Sequence, residues 1–192
     1  DWGIYANAQQ FNRDFLKDWY GSRKGVRWKI ERNYGGRGAL TYLGADRSAY
    51  EGVYELKTTV NPERDAAAWG RLLAFLKLLN ETPPKDLPKT LPKILDVDRT
   101  LWFLALEWVF QDNDGYVRQG YDYRLLEDRY GRFLPILYDN NEILPARQVR
   151  SSRMGQVAFG TDPLQHWGNL ERPLMTRLLE VPEYQARYLA YV

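Results

Sequence analysis

The alternation of apolar and polar positions divides the chain into short segments, most of them carrying their own start and stop signals. Ile4 to Ala8 alternate as a strand does. Asn12 then precedes a run that places Phe15, Leu16 and Trp19 on one helical face, and Gly21 stops it. Val26 to Ile30 reads as a second strand with Lys29 on it, and Tyr54 to Thr59 as a short strand holding Lys57. Between them, Gly35 to Gly44 predicts a glycine-rich loop and a short strand. Asn61-Pro62-Glu63 is a helix start: a capping side chain, a proline in the first turn and an acid at the positive end of the dipole. That helix is expected to reach Asn80, with Trp69, Leu72, Leu73, Leu76 and Leu79 as its apolar stripe. Residues Thr82 to Pro92 hold four of the ten prolines and predict a rigid, exposed connection.

Asp98 is the expected cap of the next helix, Arg99 to about Gln111, which is apolar almost all round and belongs at the buried centre of the domain. Tyr121 to Glu127 and Arg132 to Tyr138 predict two strands of a hairpin turning at Asp128-Arg129-Tyr130-Gly131. A loop-rich stretch follows. Pro173 to Glu180 and Pro182 to Val192 then predict two helices, each opened by a proline. There is no internal repeat.

Composition narrows the function classes. At 192 residues, one domain with one sizeable core is the expectation. A net charge of +2, with the basic residues scattered along the sequence, gives no support to nucleic-acid binding. The seven Trp and fourteen Tyr either build a bulky core or line a ligand groove. Zero Cys excludes disulfides, thiolate-bound zinc or iron–sulfur clusters, and a cysteine nucleophile. The single His166 cannot make a multi-histidine metal site, and its loop-like setting has no nucleophile motif beside it. No apolar run is long enough to span a membrane. Asn80-Glu81-Thr82 matches a glycosylation sequon, which matters only in an exported eukaryotic protein. The chain opens on Asp1-Trp2-Gly3-Ile4-Tyr5, which reads as the middle of a strand and so as a fragment or processed product.

The chemistry-bearing candidates are acids at the ends of apolar segments. Asp112 and Asp114 come off the C-terminal end of the predicted central helix, where the dipole disfavours negative charge and a bound cation would offset it. Asp122 precedes the first hairpin strand and Asp139 follows the second. Two readings of Asp114, Asp122 and Asp139 stay open: a divalent-metal and phosphate site with one acid left to accept a proton, or ordinary caps and turns. Gly35-Gly36-Arg37-Gly38 lacks the Gly-Lys-Ser/Thr ending of a phosphate loop and reads as a flexible turn. An EF-hand fails on paper: with Gly115 at position 6 of the loop, positions 1 and 12 are Phe110 and Tyr121. A glycosidase pair of carboxylates needs only two acids, so a sugar-binding or glycoside-cleaving protein is a further alternative.

Asp114-Gly115-Tyr116 with Asp122-Tyr123-Arg124-Leu125, and Gly131-Arg132-Phe133 through Leu134-Pro135-Ile136-Leu137-Tyr138-Asp139, resemble two blocks of the CotH family of atypical, spore-coat-type protein kinases. Trp2-Gly3-Ile4-Tyr5 through Phe15-Leu16, Gly25-Val26-Arg27-Trp28-Lys29, and Pro182-Glu183-Tyr184 with Arg187-Tyr188-Leu189 extend the likeness over nearly the whole chain. The resemblance implies an α+β, atypical protein-kinase-like fold, mainly the C-terminal lobe with a few N-terminal strands. Residues 1–60 would be its strand-rich part and residues 61–192 its helical lobe. It implies ATP and Mg²⁺ (or Mn²⁺) as cofactors, and a surface or coat protein bearing a Ser or Thr acceptor as partner. It also implies an extracytoplasmic, secreted or spore-surface location, with any export signal upstream of this chain. By the same likeness Asp114 is the catalytic-loop acid and Asp139 the metal-binding acid. Asp122, at the family's Asn position, is a second metal and cofactor ligand, and Lys29 contacts phosphate. Departures from the family pattern are Gln9 in place of Glu and Ile136-Leu137 in place of Trp-Asp. With the upstream half of the family domain missing from this chain, they make a weakly active fragment or a catalytically dead assembly module the competing expectation.

Overall fold

The computed structural model describes residues 9–32, 37–141, 143–144 and 162–192. The predicted strand at Ile4 to Ala8 and the glycines at 35 and 36 lie outside them. The first element is helix α1, Arg13–Tyr20. The Asn12 side chain accepts the N–H groups of Asp14 and Phe15 at 2.9 and 3.0 Å, and Gly21 closes the helix in the left-handed conformation, φ 67°. Strands β1, Val26–Ile30, and β2, Tyr54–Leu56, follow, the second ending three residues before the sequence reading placed it. Residues 37–44 form turns and bends, and the short strand expected there is absent from the described part.

Helix α2, Pro62–Glu81, is capped by Asn61, which accepts the Arg64 N–H at 2.9 Å. The proline-rich connection was expected to be exposed. It instead folds into 3₁₀ turns around a short helix α3, Leu87–Thr90, and sinks Leu87 and Leu91 completely into the core. Helix α4 is Val97–Val109, and its cap is Asp96, not Asp98. Strand pairing explains the shift. The Asp96 N–H donates to Phe133 O at 2.8 Å and the Phe133 N–H to Ile94 O at 2.7 Å, which fixes Asp96 in the non-helical position where a cap belongs. The burial of α4 is also one-sided: Leu101, Phe103, Leu104 and Ala105 face the core, while Trp102 and Val109 are exposed.

After α4 come the short helix α5, Tyr116–Gln119, strands β3, Tyr123–Glu127, and β4, Phe133–Leu137, and helices α6, Pro173–Leu179, and α7, Pro182–Tyr191. The four strands form one antiparallel sheet in the order β2-β1-β3-β4. The early strands and the hairpin thus share one sheet across the expected division at residue 60. The fold is α+β.

The two faces of the sheet differ. Trp28, Ile30, Tyr54, Tyr123, Leu125 and Phe133 belong to the main core, where Trp28 meets Trp69 edge-on at 4.9 Å and Phe133 stacks on Phe75 at 4.7 Å. On the other face, Leu126 and Leu134 pack with Leu16 of α1 in a smaller cluster. Beside it the same face turns polar, with Lys29 opposite Glu55 on one side and Arg124 on the other. Much of the tyrosine excess is accounted for by buried hydroxyls that hold residues 38–43. Tyr123 donates to Gly38 O, Tyr116 donates to Ala39 O, and Tyr54 and Tyr50 accept the Leu40 and Leu43 N–H groups. Among the described residues no helix is long and apolar enough to cross a membrane.

Candidate active site

The acids singled out from the sequence sit on three short connections at one end of the β3–β4 hairpin: Asp112 and Asp114 between α4 and α5, Asp122 between α5 and β3, and Asp139 after β4. The chain leaves α4 through Gln111, whose φ of 51° is left-handed, and turns at once into Asp112. Asp112 is fully buried and ties the first of these connections to the third. One carboxylate oxygen accepts the N–H groups of Asp114 and Gly115 at 3.1 and 3.2 Å, and the other accepts the Asn140 side-chain N–H at 2.7 Å. The loop carrying Asp114 is thereby pinned to the residue after Asp139. Asp122 and Asp139 have φ of 50° and 58°, a conformation a non-glycine residue adopts at a cost. Such backbone persists only where surrounding contacts impose it, and it gathers at functional sites.

Beneath the first loop lies a carboxyl that the sequence reading did not single out. Glu107, on the last turns of α4, is buried, and its Oε2 accepts the Val117 N–H at 3.0 Å, satisfying a free donor at the start of α5. Burial first, then the neighbouring Asp112, pushes its pKa up to about 8. A Cβ at Gly115 would stand 2.3 Å from the Glu107 carboxylate, so any larger residue there would force that carboxylate to shift. From the other side Arg172 is also buried; its Nε donates to Val117 O at 3.2 Å and its Nη2 to Arg118 O. Glu107 and Arg172 thus hold the two ends of α5. A charged residue alone inside the apolar run Leu101 to Val109 was the available signal for Glu107. Nothing local marks Arg172.

Asp114 and Asp122 are half-buried and Asp139 is exposed. Asp122 reports their relation: its pKa is raised by burial first, then by the charges of Asp114 and Asp139, against the opposing pull of Arg32 and Arg124. The three acids therefore share one electrostatic neighbourhood. They do not form a ready cage, for among the described residues no three His, Cys, Asp or Glu side chains are grouped to hold a metal ion. The two facts agree, because Coulomb influence reaches farther than coordination. Mutually repelling carboxylates with only oxygen donors suit a hard divalent cation, which would relieve the repulsion that Asp122 registers.

Arg124 lies under Tyr138 with its guanidinium carbon 3.4 Å from the ring centroid. Lys29, on the polar face of β1 directly opposite Arg124, ion-pairs with Glu31 at 2.7 Å. Gln9 is engaged elsewhere, bonding Asp18 at 2.9 Å and Trp19 at 2.7 Å on α1. His166 packs edge-on against Trp108, ring centroids 6.1 Å apart, and burial together with Arg118 and Arg172 lowers its pKa. It is placed as a packed structural side chain.

No curated protein matches the chain. The profile of the CotH kinase protein family matches residues 1–192, the whole length, and the chain belongs to that family.

Proposed function

We propose that the chain carries the acidic half of an ATP- and Mg²⁺-dependent phosphotransfer site, acting on Ser or Thr hydroxyls of a protein substrate at a cell or spore surface. Asp114 orients the accepting hydroxyl and receives its proton. Asp139 and Asp122 hold the divalent cation, which when bound neutralises charge on the phosphate oxygens. Lys29 exchanges its pairing with Glu31 for a phosphate contact. Asp112 and Glu107 do no chemistry; they fix the turn from which Asp114 projects. The reading rests on one observation above the rest: Asp122 is raised by the charges of Asp114 and Asp139, on loops whose backbone is held in left-handed conformations. Membership of a kinase family and the succession of helix, acid-bearing loop, hairpin and second acid-bearing loop agree with a kinase-like fold.

A catalytically dead binding module is the second reading. It is favoured by the absence of a three-acid group among the described residues and by the apolar Ile136-Leu137 immediately before the Asp139 loop. Thermal shift with ATP separates the two. A rise in Tm that requires Mg²⁺ or Mn²⁺, and that Asp139→Ala abolishes while the circular dichroism spectrum stays unchanged, is the expected result. A metal-dependent shift that survives Asp139→Ala would remove Asp139 from the site, and no shift at saturating metal and ATP would favour the binding module.

A further inference from the structure

At the opposite end of the sheet from Asp122 and Asp139 lies a cleft of about 760 Å³, between the start of α1, the first half of α2 and the β3–β4 turn. Basic side chains from four separate segments line it: Arg13 opens α1, Lys24 lies before β1, Arg64 and Arg71 come from α2, and Arg129 comes from the hairpin turn. Carboxylates line it too, but they are already engaged. Glu127 is held by Arg71, Asp128 by Arg132 at 3.1 Å, and Asp65 accepts the Val60 N–H at 3.1 Å. Arg23, also at the wall, pairs with Asp14 at 2.8 Å. Among the described residues no carboxylate forms an ion pair with Arg13, Lys24, Arg64 or Arg129.

Two of these cations also sit where helices disfavour them. Arg13 is the first residue of α1 and Arg64 the third of α2, at the positive ends of both dipoles. The charge of Arg13 is felt nearby: the Arg27 guanidinium is held below its ordinary range, by burial first and by Arg13 second. Six basic side chains against three acidic ones leave the concave wall with an excess of positive charge, which focuses the field and concentrates anions. With a chain net charge of only +2, this positive charge is local to a pocket and does not form a stripe along which a polymer could track. The volume falls in the range of roughly 300–1,000 Å³ usual for small-ligand sites, and arginine forks match phosphate oxygens two at a time.

We propose that this cleft binds a dianionic phosphate group, with Arg13, Lys24, Arg64 and Arg129 supplying the charge-assisted donors. The anion is either free phosphate or a phosphoserine within a peptide. The cleft shares no residue with the acidic loops and needs no metal, so either site can fail without the other.

Calorimetric titration of the whole chain in EDTA tests it, with inorganic phosphate, a short phosphoserine peptide and the same peptide unphosphorylated as probes. The expected result is binding of the phosphorylated peptide at least tenfold tighter than its unphosphorylated twin. That affinity should fall tenfold or more in the double variant Arg13→Gln, Arg64→Gln and several-fold in Lys24→Gln. It should be unchanged in Lys85→Gln, which lies in the proline-rich connection away from the cleft, and in Asp139→Ala. Free phosphate that binds as tightly as the phosphopeptide, with the same losses, names the small anion as occupant; a tighter phosphopeptide names the peptide. All five substituted cleft and control positions are exposed, so the variants are expected to fold. No binding of either phosphate probe, equal binding of the two peptides, or a double variant that binds like the parent would overturn the proposal.

Discussion

Glu107 is a carboxyl whose charge the fold opposes. Burial is the largest cause and Asp112 the second, while the Val117 and Tyr116 N–H groups and Arg172 pull the other way, and the balance leaves its pKa at about 8. The sign follows from linkage. The folded value lies above the unfolded one, so the folded state binds the proton more tightly, and this contribution to stability is complete below the ordinary carboxyl range of about 4.3. It declines as pH rises from there through about 8. The buried position makes the effect large enough to measure, on the order of a few kcal/mol across that window. Glu107→Gln keeps the shape and an acceptor for the Val117 N–H but cannot ionise. Urea midpoints at pH 5 and pH 8 should therefore fall across the interval in the parent and fall distinctly less in the variant. Identical pH slopes in the two proteins would show that Glu107 does not titrate as described.

At the scale of single elements, α4 shows both how far local sequence signals reach and where they stop. Helix α1, strand β1, the hairpin and the two proline-opened helices were legible because each carries its start, period and stop within a few residues: Asn12 and Gly21 around α1, the turn Asp128 to Gly131, Pro173 and Pro182. The cap of α4 was misplaced because two aspartates stand two residues apart and only a distant strand chooses between them. Phe133 of β4 holds Asp96 outside the helix and leaves Asp98 in the first turn, where it meets Arg187 and Tyr191 of α7. The proline-rich connection was misread for the same kind of reason, since the burial of Leu87 and Leu91 depends on a core that composition does not describe. The two aspartates should accordingly differ in effect. Asp96→Ala removes the cap and the 3.5 Å ion pair with Arg132 and should cost about 1–2 kcal/mol. Asp98→Ala breaks an exposed pair and should cost less than about 1 kcal/mol. Denaturant midpoints of the two variants decide it, and an equal or reversed order would return the cap to Asp98.

Across the whole molecule, the candidate site is assembled by contacts that span much of the chain, which is why its acids were legible and its supports were not. An acid closing an apolar run is visible in a ten-residue window; a guanidinium that braces the neighbouring helix α5 from 55 positions away is not. Arg172 is the clearest case. It is almost wholly buried, and it donates to Val117 O at 3.2 Å, to Arg118 O, and to its neighbour Glu171 O at 2.8 Å. Two of these carbonyls lie in α5, so the cation stands at the negative end of that turn. The next residues continue the brace, because the Leu174 N–H donates to the Tyr116 hydroxyl at 2.8 Å. Arg172→Met keeps much of the side-chain volume but leaves the α5 carbonyls without a donor, each worth about 1–3 kcal/mol when buried and unpaired. Arg172→Lys keeps the charge but loses the fork, so it should rescue only part of the stability. A structural brace and a remote packing residue differ in where the damage appears. Hydrogen exchange in Arg172→Met should quicken first at Gln119 and Gly120, whose amides close α5, while the Trp28 and Leu125 amides within the sheet keep their protection. Loss of protection spread evenly over the molecule, or full rescue by lysine, would show that Arg172 contributes volume or charge alone and does not hold α5, the helical turn that follows Asp114.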